Sequence, residues 1–186
     1  ACAAGSIVNL DNLEEVALVC SAFRGSERKP IVGLRVNYDI ERDCPGETTC
    51  AGIPGRFGIC LENGDFEKAL SMLREGGIEL AGLHLHQSSR TRSLAIYRSI
   101  AGTAVQTGRE FGLSELKYVD IGGGFFGGSF FPGKPTYSEY AGTVCVTLRA
   151  FYSPEKTALI LEPGAANLAT SMDYLTNVLN IREVRG

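Results

Sequence analysis

The run Val119-Asp120-Ile121-Gly122-Gly123-Gly124-Phe125 is an apolar strand that ends in three consecutive glycines. Glycine tolerates positive φ and lets a ligand approach the main chain, so successive N–H groups in such a turn can form an anion-binding concavity. A flexible loop at a sheet edge has the same composition, and Gly127 and Gly128 extend the run in either case. His84 and His86 stand two apart in an apolar stretch, which puts both rings on one side of a strand. A metal site would need several more ligands and the chain has no third histidine, so no metal is expected. Two uses remain open: one flat imidazole stacked on an aromatic cofactor, or rings hydrogen-bonded within a polar core. Glu162 closes the strand-like segment Leu161-Glu162-Pro163-Gly164 and must face something positive or donating. A protonated pyridine nitrogen would serve, as would a salt bridge with Arg35.

The segments that position these residues alternate between strand and helix patterns. Strands are expected over 6–10, 31–36, 78–86, 116–121 and 158–162. Asp11 with Glu14 reads as the cap of a helix burying Leu13, Val16, Ala17 and Cys20. Asp65 reads as the cap of a second helix, carrying Phe66, Ala69, Leu70 and Leu73 and stopped by Gly76-Gly77. Two more helices are expected over 93–111 and 137–151, the first with Tyr97, Ala101, Ala104, Val105 and Gly108 on its buried stripe. The segment 174–184 reads as strands leaving the main layer.

Composition excludes several classes. The 186 residues are 44% hydrophobic with a net charge of −3 and scattered lysines and arginines, so no nucleic-acid partner is implied. No apolar run reaches a membrane span and no signal-peptide layout opens the chain, so a cytoplasmic setting is expected. Six cysteines form no CxxC pair and read as reduced thiols, with Cys44 and Cys50 the one candidate crosslink.

Strands alternating with helices imply an α/β fold of parallel βαβ units with ligands at the carboxyl ends of the strands. Arg35 and Asn37, His84 and His86, the three glycines, and Glu162 each fall at such an end, one group per strand. That distribution favours a (β/α)₈ TIM barrel over a doubly wound sheet. About five βα units are present, against a typical length of about 250 residues for a whole barrel. The expectation is a partial barrel, cut at both ends and stabilised by the rest of its protein.

Taken together, Gly82-Leu83-His84-Leu85-His86 with Ser89, Asp120-Ile121-Gly122-Gly123-Gly124-Phe125, and Leu161-Glu162-Pro163-Gly164 resemble the fold type III pyridoxal-phosphate decarboxylases, the ornithine and diaminopimelate decarboxylase family. Leu34-Arg35-Val36-Asn37 and Gly55-Arg56-Phe57-Gly58-Ile59 are weaker echoes of the same family. The resemblance implies pyridoxal 5′-phosphate as cofactor and an amino acid as substrate, basic or of the diaminopimelate class. It makes His86 and Glu162 the catalytic pair. His86 would stack on the ring, Glu162 would pair with the pyridine nitrogen, and Ser89 with the N–H groups of Gly122, Gly123 and Gly124 would hold the phosphate. His84 and Arg35 would orient groups around Glu162 and the ring. Racemases of the same fold resemble this pattern with an arginine beside the nitrogen, so Glu162 favours decarboxylation.

The chain departs from the family pattern in three places. No lysine here matches the Schiff-base lysine of the first barrel strand; Lys29, Lys68, Lys117, Lys134 and Lys156 fall on helices, loops or strand starts. Ala165 stands where the family usually has an arginine facing the phosphate, leaving Arg90 as the substitute cation. Phe126 replaces a proline. The expected organisation is a partial pyridoxal-phosphate-binding barrel domain over 1–172 and, over 173–186, the start of a connection to a C-terminal β-domain. The full-length protein would be a homodimer, while this piece alone would be inactive. Rival readings are a non-catalytic regulatory relative, a same-fold racemase or pyridoxal-phosphate-binding protein, and, more distantly, a dinucleotide-binding oxidoreductase.

Overall fold

Period-two alternation gives each strand of this protein two unlike faces, and that difference organises the molecule. The computed structural model describes residues 4–49, 55–126, 132–168 and 175–177. The elements run β1 (Ile7–Leu10), α1 (Leu13–Ala22), β2 (Ile31–Asn37), β3 (Ile59–Cys60), α2 (Asp65–Glu75), β4 (Leu80–His84), α3 (Leu94–Glu110), β5 (Tyr118–Gly123), α4 (Tyr137–Leu148), β6 (Ala158–Glu162) and α5 (Ala165–Leu168). The sheet is parallel throughout, in the order β1-β2-β4-β5-β6, and the two-residue β3 pairs beside β2. It is the curled half-barrel expected from the alternating pattern.

One face is apolar. Leu34, Leu83, Val119 and Ile121 are fully buried in the same core as Val16, Phe66, Ile96, Ile100 and Val144 from the helices. The other face is layered by register. Asn9, Gly33, Gly82, Tyr118 and Ala158 pair across the sheet as one row, and Arg35, His84, Asp120 and Ile160 form the next row toward the carboxyl ends. In the first row the Tyr118 ring lies over Gly82 and its hydroxyl reaches past Gly33 to donate to Asn9 Oδ1 at 2.6 Å. A side chain at either glycine would collide with that ring or hydroxyl.

Several element boundaries differ from the sequence expectation. Asp11 does not cap α1; Asn12 does, accepting from Glu15 N–H at 2.8 Å, while Glu15 accepts from Asp11 N–H. Ala17 faces solvent. Asp65 is the first residue of α2, and Gly64, at φ +84°, is the cap. The glycine-bearing strand extends to Gly123 because Gly123 pairs with Glu162 of β6, with a register shift after Asp120. The expected strand 78–86 shortens to β4, which leaves His86 just past its end. The segment 174–184 lies outside the described residues except for 175–177, as do Cys2, Cys50, Gly127 and Gly128. Cys20, Cys44, Cys60 and Cys145 are free thiols. Among the described residues no helix is long and apolar enough to cross a membrane.

Candidate functional site

Parallel strands end at one rim, and here the polar residues of the layered face gather there. A cleft of about 680 Å³ opens over it, lined by Arg35, Asn37, Thr48, Phe57, His86 and Gln87 among others. Each predicted residue can be placed.

His84 ends β4 and is 8% exposed. Its Nε2 has no hydrogen-bond partner among the described residues and lies 3.8 Å from Glu162 Oε2. Burial pushes its imidazole below the ordinary value of 6.5, although the Glu162 carboxylate pulls the other way. The reading of His84 as a fully satisfied core histidine therefore fails at Nε2. Glu162, at the end of edge strand β6, keeps a half-exposed carboxylate. His84, Asp120 and Glu162 each offer a ligand-type atom, all within 4.8 Å of one another.

His86 is half-buried and seats against Gly122, where a methyl group would overlap its ring. Its Nδ1 accepts from Gly123 N–H at 3.1 Å, which leaves the ring proton of the neutral form on Nε2. Burial first, then the Arg35 charge, holds this imidazole below its ordinary value. His86 is thus kept neutral and fixed in plane by the backbone of the next strand.

The three glycines divide their work differently from the sequence expectation. Gly122 N–H donates to Asp120 Oδ1 at 2.9 Å and Gly123 N–H to His86, so two of the three donors are engaged inside the site. Gly124, with φ at +89°, is the first residue past β5. Local geometry accounts for the first of these bonds: Asp120 is 3% exposed, and a buried carboxylate takes the nearest donor. Burial raises the pKa of Asp120, opposed by that Gly122 bond.

Ser89 sits in the turn after His86, half-buried, its Oγ accepting from Arg92 N–H at 3.2 Å. Glu47 braces this turn by accepting from Thr91 N–H and hydroxyl, and Thr48 bridges to Ser89. Arg90, expected to face a phosphate, is exposed, and its N–H donates to Glu47 O. Ala165 is exposed at the first turn of α5.

Arg35 does not meet Glu162. Its guanidinium pairs with Asp11 at 3.4 Å, because β1 is the neighbour of β2 while β6 is three strands away in the order. It also covers the Phe57 ring at 4.7 Å. Asp11 accepts in addition from Gly58 N–H at 3.0 Å, and Asn37 donates to the carbonyl of Phe57 at 2.7 Å. These contacts pin the Gly55-Arg56-Phe57-Gly58 segment to the rim. Sequence reading gave Asp11 to a helix cap and Asp120 no role. The signal was available: both continue the period-two register of the layered face.

A half-barrel whose strand ends carry a neutral, edge-fixed imidazole, a carboxylate and a glycine turn is a small-molecule cofactor domain. A family model described as "Pyridoxal-dependent decarboxylase, pyridoxal binding domain" matches residues 3–169, and the chain belongs to that family. It is 25% identical over 182 residues to the probable chloroplastic diaminopimelate decarboxylase of Oryza sativa subsp. japonica, covering 96% of this chain and 36% of that protein. To the biosynthetic arginine decarboxylase of Thermosynechococcus vestitus it is 29% identical over 199 residues, covering 96% and 30%. The crystal structure of Methanocaldococcus jannaschii diaminopimelate decarboxylase in complex with L-lysine superposes with a TM-score of 0.68 at 25% identity, covering 86% of this chain and 38% of that one. The chain thus spans 27% to 41% of the length of these and other curated relatives it matches. Pyridoxal 5′-phosphate is the cofactor of this domain.

Two observations fit that cofactor. The buried Nε2 of His84 behind Glu162 marks a polar centre without a hydrogen-bond partner among the described residues. The absence of a Cβ at Gly122 lets His86 sit close against the main chain at the cleft wall.

Proposed function

We propose that this domain is part of a pyridoxal-phosphate-dependent amino-acid decarboxylase acting on a basic amino acid or diaminopimelate. The observation that carries the reading is the Glu162 carboxylate, 3.8 Å from the unpartnered Nε2 of buried His84. When bound, pyridoxal phosphate supplies an electron-accepting ring for the pair released as CO₂ leaves the α-carbon. Glu162 holds a proton at the pyridine nitrogen, where its negative charge favours the protonated form. His86 stacks on the ring, kept neutral by burial and oriented by Gly123 N–H. Ser89 and the Gly122-Gly123-Gly124 turn hold the phosphate, with Gly122 and Gly123 also bonded to Asp120 and His86. His84 positions Glu162, and Arg35 orders the 55–58 segment through Asp11 and Phe57.

The L-lysine complex of the Methanocaldococcus jannaschii enzyme and the arginine decarboxylase relative support a substrate of this class. Residues 1–172 form the partial barrel domain and 173–186 begin the connection to a C-terminal β-domain. The active unit is a cytoplasmic homodimer of the full-length protein, with a Schiff-base lysine outside this sequence, and the 186-residue piece is inactive alone. Ala165 favours a second reading, a non-catalytic regulatory relative. Adding pyridoxal phosphate to the full-length protein should produce the absorbance band of bound cofactor, and lysine, ornithine, arginine or diaminopimelate should then release CO₂. A featureless spectrum would remove the cofactor reading, and a band without CO₂ release would favour the regulator.

A further inference from the structure

The Ser89 turn and the Gly124 loop converge on a cation for which the site as described has no use. Arg92 donates its N–H to Ser89 Oγ at 3.2 Å and accepts at its carbonyl from the Tyr140 hydroxyl at 2.6 Å. Its guanidinium carbon stands 5.1 Å from the centroid of Phe126, two residues beyond Gly124. Tyr140 packs edge-on against Phe125 at 5.2 Å, and Tyr97 stacks on the same ring at 4.6 Å while donating to Gly123 O at 2.8 Å. Arg92 is therefore tied by its own backbone to one phosphate-holding element and lies by its side chain against the other.

Two features set it apart. Arg92, at φ +52°, is the one non-glycine residue with positive φ among those described. A non-glycine residue persists in that region only where its surroundings enforce it, and such residues cluster at ligand sites. No carboxylate lies within ion-pair distance of its half-buried guanidinium among the described residues. A phosphate brought to Ser89 and Gly124 carries charge into a rim that already holds the carboxylates of Asp120 and Glu162, and it needs a compensating cation. A guanidinium offers paired donors matched to phosphate oxygens.

The geometry points to Arg92 as the side chain that neutralises the cofactor's phosphate, an assignment that rests on the pyridoxal-phosphate reading above. It moves that charge from Arg90, whose side chain is exposed; Lys134, 5.0 Å from the same Phe126 ring, is also exposed.

The test compares equilibrium binding of pyridoxal phosphate and of pyridoxal, which lacks the phosphate, to the full-length apoprotein. Arg92→Gln should weaken pyridoxal phosphate by about tenfold or more and leave pyridoxal unchanged, with Arg92→Lys recovering part of the loss. Arg92→Gly removes the charge while relieving the positive φ, so it should stay folded and show the same selective loss. Arg90→Gln and Lys134→Gln should bind both compounds as the parent does. The assignment is overturned if Arg92→Gln and Arg92→Gly bind pyridoxal phosphate normally, if both compounds weaken equally, or if Arg90→Gln or Lys134→Gln alone shows the selective loss. Failure of the unmodified protein to bind pyridoxal phosphate would overturn the cofactor reading and this assignment together, an outcome distinct from all of these.

Discussion

Gly123 N–H donates to His86 Nδ1 at 3.1 Å, a bond from β5 to a residue just past the end of β4. It makes the orientation and tautomer of a ring on one strand the responsibility of the backbone of the next. The neighbouring Gly122 leaves the space that ring occupies.

Gly122→Ala tests that arrangement. The added methyl overlaps His86 at a residue with φ +68°, so the fold should lose about 1–3 kcal/mol and the cofactor band should disappear or weaken. Thermal melts and cofactor titration of the full-length protein read both effects. A variant that retains both would show that His86 does not need this seat.

Glu162→Ala separates chemistry from binding. Decarboxylation should fall by about 100-fold or more, in line with loss of a group that stabilises developing charge, while cofactor still binds. Undiminished CO₂ release would mean that another residue faces the pyridine nitrogen.

The two histidines give stability a pH dependence of definite sign. Both are held below 6.5 in the folded state, so between that depressed value and 6.5 the unfolded chain binds protons that the folded chain does not. Stability then rises with pH: it is fully present above about 6.5 and is lost as pH falls toward the folded value. Urea midpoints taken from about pH 7.5 down to about pH 5.5 should decline, and His84→Gln should flatten the decline. An equal decline in His84→Gln would assign it to other groups.

Leu83→Ala probes the opposite face. Leu83 is fully buried under the helices, so its truncation should cost about 2–5 kcal/mol without touching the rim. Denaturant melts should register the loss while cofactor affinity per folded molecule stays constant. A selective loss of affinity would show that the two faces are coupled.

The alternation of strands and helices was legible because each helix carries an apolar stripe and each strand an apolar face; α3 buries Tyr97, Ala101, Ala104, Val105 and Gly108 as its spacing implies. Strand ends were less legible, since Gly122 and Gly123 lack strand propensity and join β5 only through pairing with β6. Side-chain partners across the rim were not legible. Charge alone allows Arg35 to Glu162 as one of two partners, whereas strand order gives Arg35 to Asp11. The three glycines pointed to a turn, but which N–H groups remain free depends on Asp120 and His86, two neighbours that the glycine run itself does not reveal.

The Tyr118 ring, wedged over Gly82 and past Gly33 to Asn9, gives the half-barrel a floor. That floor lies one row below Arg35, His84 and Asp120. A larger residue at Gly33 or Gly82 would therefore disturb the rim from beneath, through the Tyr118 ring, without entering the cleft itself.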